Sequence, residues 1–572
     1  MKHGMRKTGA ALVAAALLLT LLGGCGTDTE GAASEAPSQE PSAPVSAAVE
    51  AGACAFTFSE AGITAAGDAS GYEISGTDLS ITAPGTYTVT GSCGEGSITV
   101  KKEVTGVTLV LDGLTLACAK TSPLTCNKSS EVTVRVEGSC ALTDNEDIAD
   151  DGVSDLFEGA AVKVKSGASL TLTGSGTLTV SGNCKNGIKG AASASIAVDG
   201  PTLDITAANS ALASDGSVTV VSGTVLAAAE DGIKASPDEG DTDSPGTITI
   251  TGGTFDITAV EDAVKGSGSV TITGGSFRIT AGDDAIHSDA ILTIGTEGAE
   301  DGPDIRIDGC EEGLEGAKVH LHSGSASVVS NDDGINAANS DLPGYAFLIN
   351  ITGGQWYVDA GGDGLDSNGA ITVSGGVTEV CGAENGSGGN TSLDSETGIT
   401  LTGGTVFTAD TGGSALTGTY VSFGGGGGMM GGFGDRGGMK GTFPGGTGTP
   451  PTDERPQDGA YAGGRPQEGT DPAGKGGWAG SAPAGQDGAG GSALSISAGS
   501  QLVIRDSAGG EVYSAVAPKS ASCVMLAGDL LTEGETYTLY VDGVEAASAA
   551  AVTGMAQGGM MGGRTNGPGP AL

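Results

Sequence analysis

The chain has 572 residues, 105 of them Gly, with aromatics at only 4% and a formal net charge of −44. Such a polyanion lacks the basic footprint that a phosphate backbone requires, so nucleic acid is excluded as a partner. Glycines without a strict three-residue period exclude collagen, and the wealth of Gly, Ser, Thr and Asp excludes an ordinary helical globule in favour of short strands and tight turns.

In chain order, the first element is a leader. Met1 to Lys7 is positively charged, Ala10 to Leu22 is apolar, and the run ends in Leu22-Gly23-Gly24-Cys25. This resembles a bacterial lipobox, in which the leader is removed and the Cys thiol is acylated. Residues 1–24 are read as a lipoprotein signal peptide, Cys25 as the lipidated residue, and residues 25–50, rich in Ala, Ser, Pro and Glu, as a flexible tether. The expected location is extracytoplasmic, lipid-anchored to the cell membrane. Nine further cysteines show no CxxC and no zinc spacing, which argues for small buried residues over metal thiolates.

Next comes an internal repeat. One turn recurs as Glu230-Asp231-Gly232-Ile233-Lys234, Glu261-Asp262-Ala263-Val264-Lys265, Asp283-Asp284-Ala285-Ile286-His287, Glu311-Glu312-Gly313-Leu314-Glu315, Asp332-Asp333-Gly334-Ile335-Asn336 and Gly362-Asp363-Gly364-Leu365-Asp366. Strand, Gly-Gly corner and strand precede most copies, as in Thr247–Thr258 and Ser269–Thr280. The shortest spacings, Asp262 to Asp284 and Glu312 to Asp333, set a unit of 21 or 22 residues, and longer ones hold insertions such as 235–246. Alternation puts Ile248 and Ile250 on one face and Thr247, Thr249 and Thr251 on the other. Three short strands per unit, with no Leu-x-x-Leu-x-Leu pattern, predict an all-β right-handed parallel β-helix and not a leucine-rich repeat. Phe255, Phe277 and Trp356 fall in one inward slot, whereas Tyr357, Asp256 and Arg278 have the outward phase.

Stacking also predicts a carboxylate column of Asp231, Asp262, Asp284, Glu312, Asp333 and Asp363, flanked by Asp283, Glu311 and Asp332 among others. Like charges one rung apart need neutralising, and calcium, which takes carboxylate and carbonyl oxygens, is the expected cofactor at these residues. The alternative is a salt-bridge ladder built with Lys234 and Lys265, which appear in only two of the six copies. His320-Leu321-His322 places two imidazoles on one strand face.

The lipobox, the Thr-Gly-Gly-x-Phe corners, the Asp-Gly-Ile-Lys turns and the closing Gly534–Tyr540 strand together resemble the clostridial-type carbohydrate-binding β-helix proteins. That resemblance implies a surface protein, calcium sites, and binding of cellulose or of acidic pectic sugars such as polygalacturonate. Lys234, Lys265, Arg278 and Tyr357 are the expected sugar contacts. It covers residues 51–423 as the β-helix and 493–550 as a C-terminal β segment completing it. Residues 424–492, rich in Gly, Pro and Met, and 551–572 read as a disordered insertion and tail.

Binding is favoured over catalysis, with a monomer expected. A calcium-dependent pectate-type lyase needs an Arg or Lys base, and the strand arginines Arg278 and Arg306 are read as having no second basic residue beside them. A glycosidase needs a selected pair of carboxylates, which the sequence does not single out. The lyase and a non-catalytic adhesive solenoid are the alternatives.

Overall fold

The computed structural model describes residues 54–67, 70–237, 241, 243–342, 344–384, 390–410, 416–424 and 494–555, all within the unit Ala51–Leu572. The leader, Cys25, the tether, most of 424–492 and the tail beyond 555 lie outside them.

Valine, isoleucine and threonine alternate along the strands, and many runs end at glycine corners. The result is a parallel β-solenoid of about twelve turns. Ile148–Asp150 is a single 3-10 turn, and no α-helix occurs among the described residues. One coil shows the plan: Thr247–Ile250 lies on the first sheet, Thr254–Ala259 on the second and Val264–Gly266 on the third. Each pairs in parallel with its counterpart one coil later, Thr249 opposite Thr271, Phe255 opposite Phe277 and Val264 opposite Ile286.

The core is three inward columns. The first sheet supplies Val218, Ile248, Val270, Leu292, Val319 and Ile349, and the third supplies Leu212, Ile233, Val264, Ile286, Leu314, Ile335 and Leu365, all buried. Burying one such side chain contributes about 1.5–3 kcal/mol. On the second sheet the aromatic slot runs Val225, Phe255, Phe277, Ile305, Ala326, Trp356. Phe255 and Phe277 stack with centroids 4.3 Å apart. Two rungs with smaller side chains separate them from Trp356, and Ala326 leaves the indole its room.

The corners explain part of the glycine. Between the first and second sheets the second Gly of each pair has positive φ, 108° at Gly253 and 83° at Gly354. A Cβ on Gly354 would also lie 2.4 Å from the Trp356 ring, so the large core residue and its corner are one device.

Both ends are closed by antiparallel pairs. Cys54–Ser59 pairs with Gly62–Gly67 and leads into the stack against Gly85–Cys93. At the other end Cys523–Gly528 lies antiparallel to both Thr405–Asp410 and Tyr420–Gly424. Beside it stands a four-stranded antiparallel sheet, Glu511–Val516, Gln501–Arg505, Thr536–Val541 and Val544–Ala550, with its own core of Phe407, Phe423, Leu502, Ile504, Leu526 and Tyr537. The C-terminal segment thus caps the last coil instead of adding another. All nine described cysteines are free thiols, and all but Cys184 are buried.

Candidate functional site

Two surfaces gather functional side chains: the turn into the third sheet and the outer face of the second. At the turn, backbone amides form a ladder, with Glu261 N–H donating to Glu230, Glu311 to Asp283 and Asp332 to Glu311. The residue after each acid is Gly or Ala because the wall is close. A Cβ on Gly334 or Gly364 would lie 2.1 Å from a valine methyl of Val358 or Val380. This geometry fixes Asp231, Asp262, Asp284, Glu312, Asp333 and Asp363 in one column, and puts the residue three further on in a second column beside it.

That second column reads Lys234, Lys265, His287, Glu315, Asn336, Asp366. Its charge reverses along the stack. Lys234 Nζ contacts the fully buried Asp231 at 2.7 Å, and Lys265 is in ion-pair contact with the equally buried Asp262. These two rungs are neutralised within the chain, and both lysines, expected as sugar contacts, are occupied there. At the third rung His287 Nδ1 lies 2.8 Å from Asp284 and also contacts Glu315, while Nε2 lies 2.8 Å from Asp289. Burial lowers the pKa of His287, but the hydrogen bonds to Asp284, Asp289 and Glu315 outweigh it and take the imidazolium up to about 12.

Beyond His287 no cation faces the column among the described residues. Burial first, then the charges of Glu315, Asp284 and Asp333, push Glu312 up to about 8. Burial with Asp333, Asp363 and Asp394 takes Asp366 to about 7, and burial with Asp333 and Asp394 takes Asp363 to about 6. Asn336 donates Nδ2–H to Glu312 at 2.8 Å, while its buried Oδ1 has no hydrogen-bond partner. An orphaned amide oxygen amid unneutralised carboxylates fits a hard oxygen-seeking cation. Of the other expected ligands, Asp283 joins Asp262 and Asp284 with carboxylate oxygens within 4.8 Å of one another, whereas Glu311 and Asp332 are exposed. Glu315, Asn336, Asp366 and Asp394 were not among the expected ligands. The first three sit at the position read only for its lysines.

On the second sheet an outward column runs Asp256, Arg278, Arg306, Ser327, Tyr357, Glu379. Arg278 and Arg306 are direct cross-strand neighbours, which corrects the reading that neither has a basic residue beside it. The insertion Thr296–Pro303 hides that register in the sequence. Asp308 bridges them, at 2.9 Å from Arg278 Nε and 2.6 Å from Arg306 Nε, and these bonds hold its carboxyl below the usual range. From Arg306 a cleft of about 510 Å³ opens between Asp304, Gln355, Tyr357, Val377 and Glu379. Tyr357 is half-buried there. Burial, then Asp359, Cys381 and Glu379, take its phenol to about 12, so it is neutral.

The C-terminal cap braces the end of this cleft. Tyr513 donates its hydroxyl to Glu379 at 2.7 Å and stacks on Phe407 at 5.1 Å, and Lys519 pairs with Asp359 at 2.8 Å. An aromatic ring flanked by an arginine, an amide and two carboxylates offers a sugar a face to stack on and planar groups for its hydroxyls.

Residues 75–344 match the model of a family described as carbohydrate-binding domain-containing protein. That match supports carbohydrate binding in general. It takes in Asp304, Arg306 and Ser327 and ends before Gln355, Tyr357 and Glu379. A solved structure described as the polysaccharide lyase-like protein from C. thermocellum, in a gadolinium derivative, is 27% identical, over 42% of this chain and 95% of that one, with a TM-score of 0.37. No curated protein matches the chain.

Of the expected sugar contacts, Arg278 and Tyr357 share the outward column of the second sheet, whereas Lys234 and Lys265 lie on the third. Three further lysines are held in ion pairs: Lys165 with Glu158, Lys185 with Asp151 and Lys189 with Asp215.

Proposed function

We propose that this chain is a non-catalytic polysaccharide-binding protein, lipid-anchored through Cys25 on the outer side of the cell membrane and acting as a monomer. A polymer of cellulose or polygalacturonate type lies along the second sheet, with one sugar seated at the Tyr357 cleft. The observation that carries this reading is the cleft itself. It joins a half-buried neutral tyrosine to Gln355 on the same strand, to Glu379 on the next rung and to Arg306 two rungs back, within a solenoid that matches a carbohydrate-binding family. Successive rungs stand about 4.8 Å apart, close to the advance of one sugar along an extended chain, so an outward column follows a polymer better than a closed pocket does.

Calcium belongs, in this reading, to the second half of the acidic column. Glu312, Glu315, Asp333, Asn336, Asp363 and Asp366 would hold it, and it would supply the positive charge that Lys234, Lys265 and His287 supply earlier. Asp231 and Asp262 already carry an ammonium.

Retention on insoluble polysaccharides tests the function. The mature protein is expected to be held by cellulose or polygalacturonate, with release when Tyr357 is changed to Ala. No retention on any polysaccharide overturns the binding reading, and growth of absorbance from an unsaturated uronate product selects the lyase instead. Radiolabelled fatty acid incorporated by the wild type and not by Cys25→Ser tests the anchor.

A further inference from the structure

The first sheet carries an outward threonine ladder, Thr219, Thr249, Thr271 and Thr293, in register on successive rungs apart from the binding surfaces above. The next rungs break it with His320 and then Asn350 before Thr372 resumes it. His320 and His322 project from the same side of one strand, two residues apart, with ring centroids 5.8 Å apart and planes within 9° of parallel.

Both rings are held by their Nδ1 atoms. His322 Nδ1 is 2.8 Å from Thr352 Oγ1, and Asn350 as placed donates Nδ2–H to His320 Nδ1 at 3.5 Å while its Oδ1 accepts from Thr372 Oγ1 at 2.8 Å. Turning the Asn350 amide over lets Nδ1–H donate to it, and the Thr372 hydroxyl serves either setting. With Nδ1 as the donor, Nε2 of each imidazole keeps its lone pair. This is the arrangement by which metal-ligating histidines are oriented from behind.

We propose that His320 and His322 form a chelating site for a borderline divalent transition metal ion of the Cu2+, Ni2+ or Zn2+ class, completed by water. Two imidazole nitrogens with no carboxylate partner among the described residues suit such ions and not calcium. Lys318, on the same strand, places its Nζ 5.2 Å over the Tyr345 ring.

The test uses the full mature chain with excess calcium present and one equivalent of CuCl2. The wild type is expected to bind one Cu2+ whose electron paramagnetic resonance spectrum shows coupling to two imidazole nitrogens. The double variant His320→Ala/His322→Ala is expected to lose that equivalent with its melting temperature unchanged, because both side chains face outward. Thr352→Val, which leaves both ligands in place, is expected to weaken binding about 10- to 100-fold. An identical stoichiometry and spectrum in the double variant, or no uptake by the wild type below millimolar Cu2+, overturns the proposal.

Discussion

Lys234 and Asp366 occupy the same outward column of the third sheet, five rungs apart, with opposite charge. The backbone is the same at both rungs, and so is the acid three residues earlier. Only the neutralising partner differs.

Lys234 is therefore a structural residue. Replacing it by Met leaves Asp231 buried and unpaired, and the expected cost is about 3–5 kcal/mol. The double change Asp231→Asn/Lys234→Met is expected to recover most of that loss. Urea unfolding of the two singles and the double closes the cycle, and full additivity would show that the two groups do not interact.

The far end of the column predicts a pH dependence. Glu312, Asp363 and Asp366 have folded pKa values raised above their ordinary ones, to about 8, 6 and 7. The folded state then binds more protons than the unfolded state, so these groups lower stability progressively as pH rises from about 4 to about 8. With chelator present the melting temperature is expected to fall between pH 5 and pH 8.5, and millimolar calcium is expected to restore it at the upper pH. A melting temperature unmoved by calcium at pH 8.5 counts against an ion there.

Asp366→Lys copies the Lys234 arrangement onto Asp363. It is expected to raise the melting temperature in chelator and to shrink the calcium response, both readable in one thermal scan.

In the core, Trp356→Ala is expected to cost about 3–5 kcal/mol. Ala326→Leu, on the rung that gives the indole its room, is expected to cost about 1–3 kcal/mol by overpacking. Denaturant midpoints measure both.

For the cleft, Tyr357→Ala and Arg306→Ala are each expected to reduce retention on the bound polysaccharide at least tenfold. Arg278→Ala, one rung outside the cleft, is expected to change it less than threefold. Depletion from solution by the insoluble polymer gives the numbers.

The solenoid was legible in the sequence because its period is carried by residue types with sharp backbone demands, glycine at positive φ and alternating Ile and Thr. The aromatic slot was legible for the same reason, except for the rungs of Ile305 and Ala326, which carry no aromatic to mark them. The Arg278–Arg306 pairing was not, since the insertion between them breaks the spacing that would align them. The calcium reading took the acid of each turn and passed over the residue three further on, although Lys, Lys, His, Glu, Asn, Asp was there to be read. Side chains contributed by the cap, Tyr513 to Glu379 and Lys519 to Asp359, come from more than 100 residues away, and no local pattern announces them.

The antiparallel strand Cys523–Gly528 has a consequence for assembly. Every rung before it offers the same parallel edge, so a stack without this strand would end in a surface able to accept another copy of itself. The strand is encoded about 100 residues after the last coil it covers, and synthesis must pass the whole intervening segment before the edge is sealed. Chains cut short before Cys523 are the ones whose open edges would meet, joining two such chains at their uncapped ends while the hairpin of Cys54–Gly67 keeps the other ends sealed.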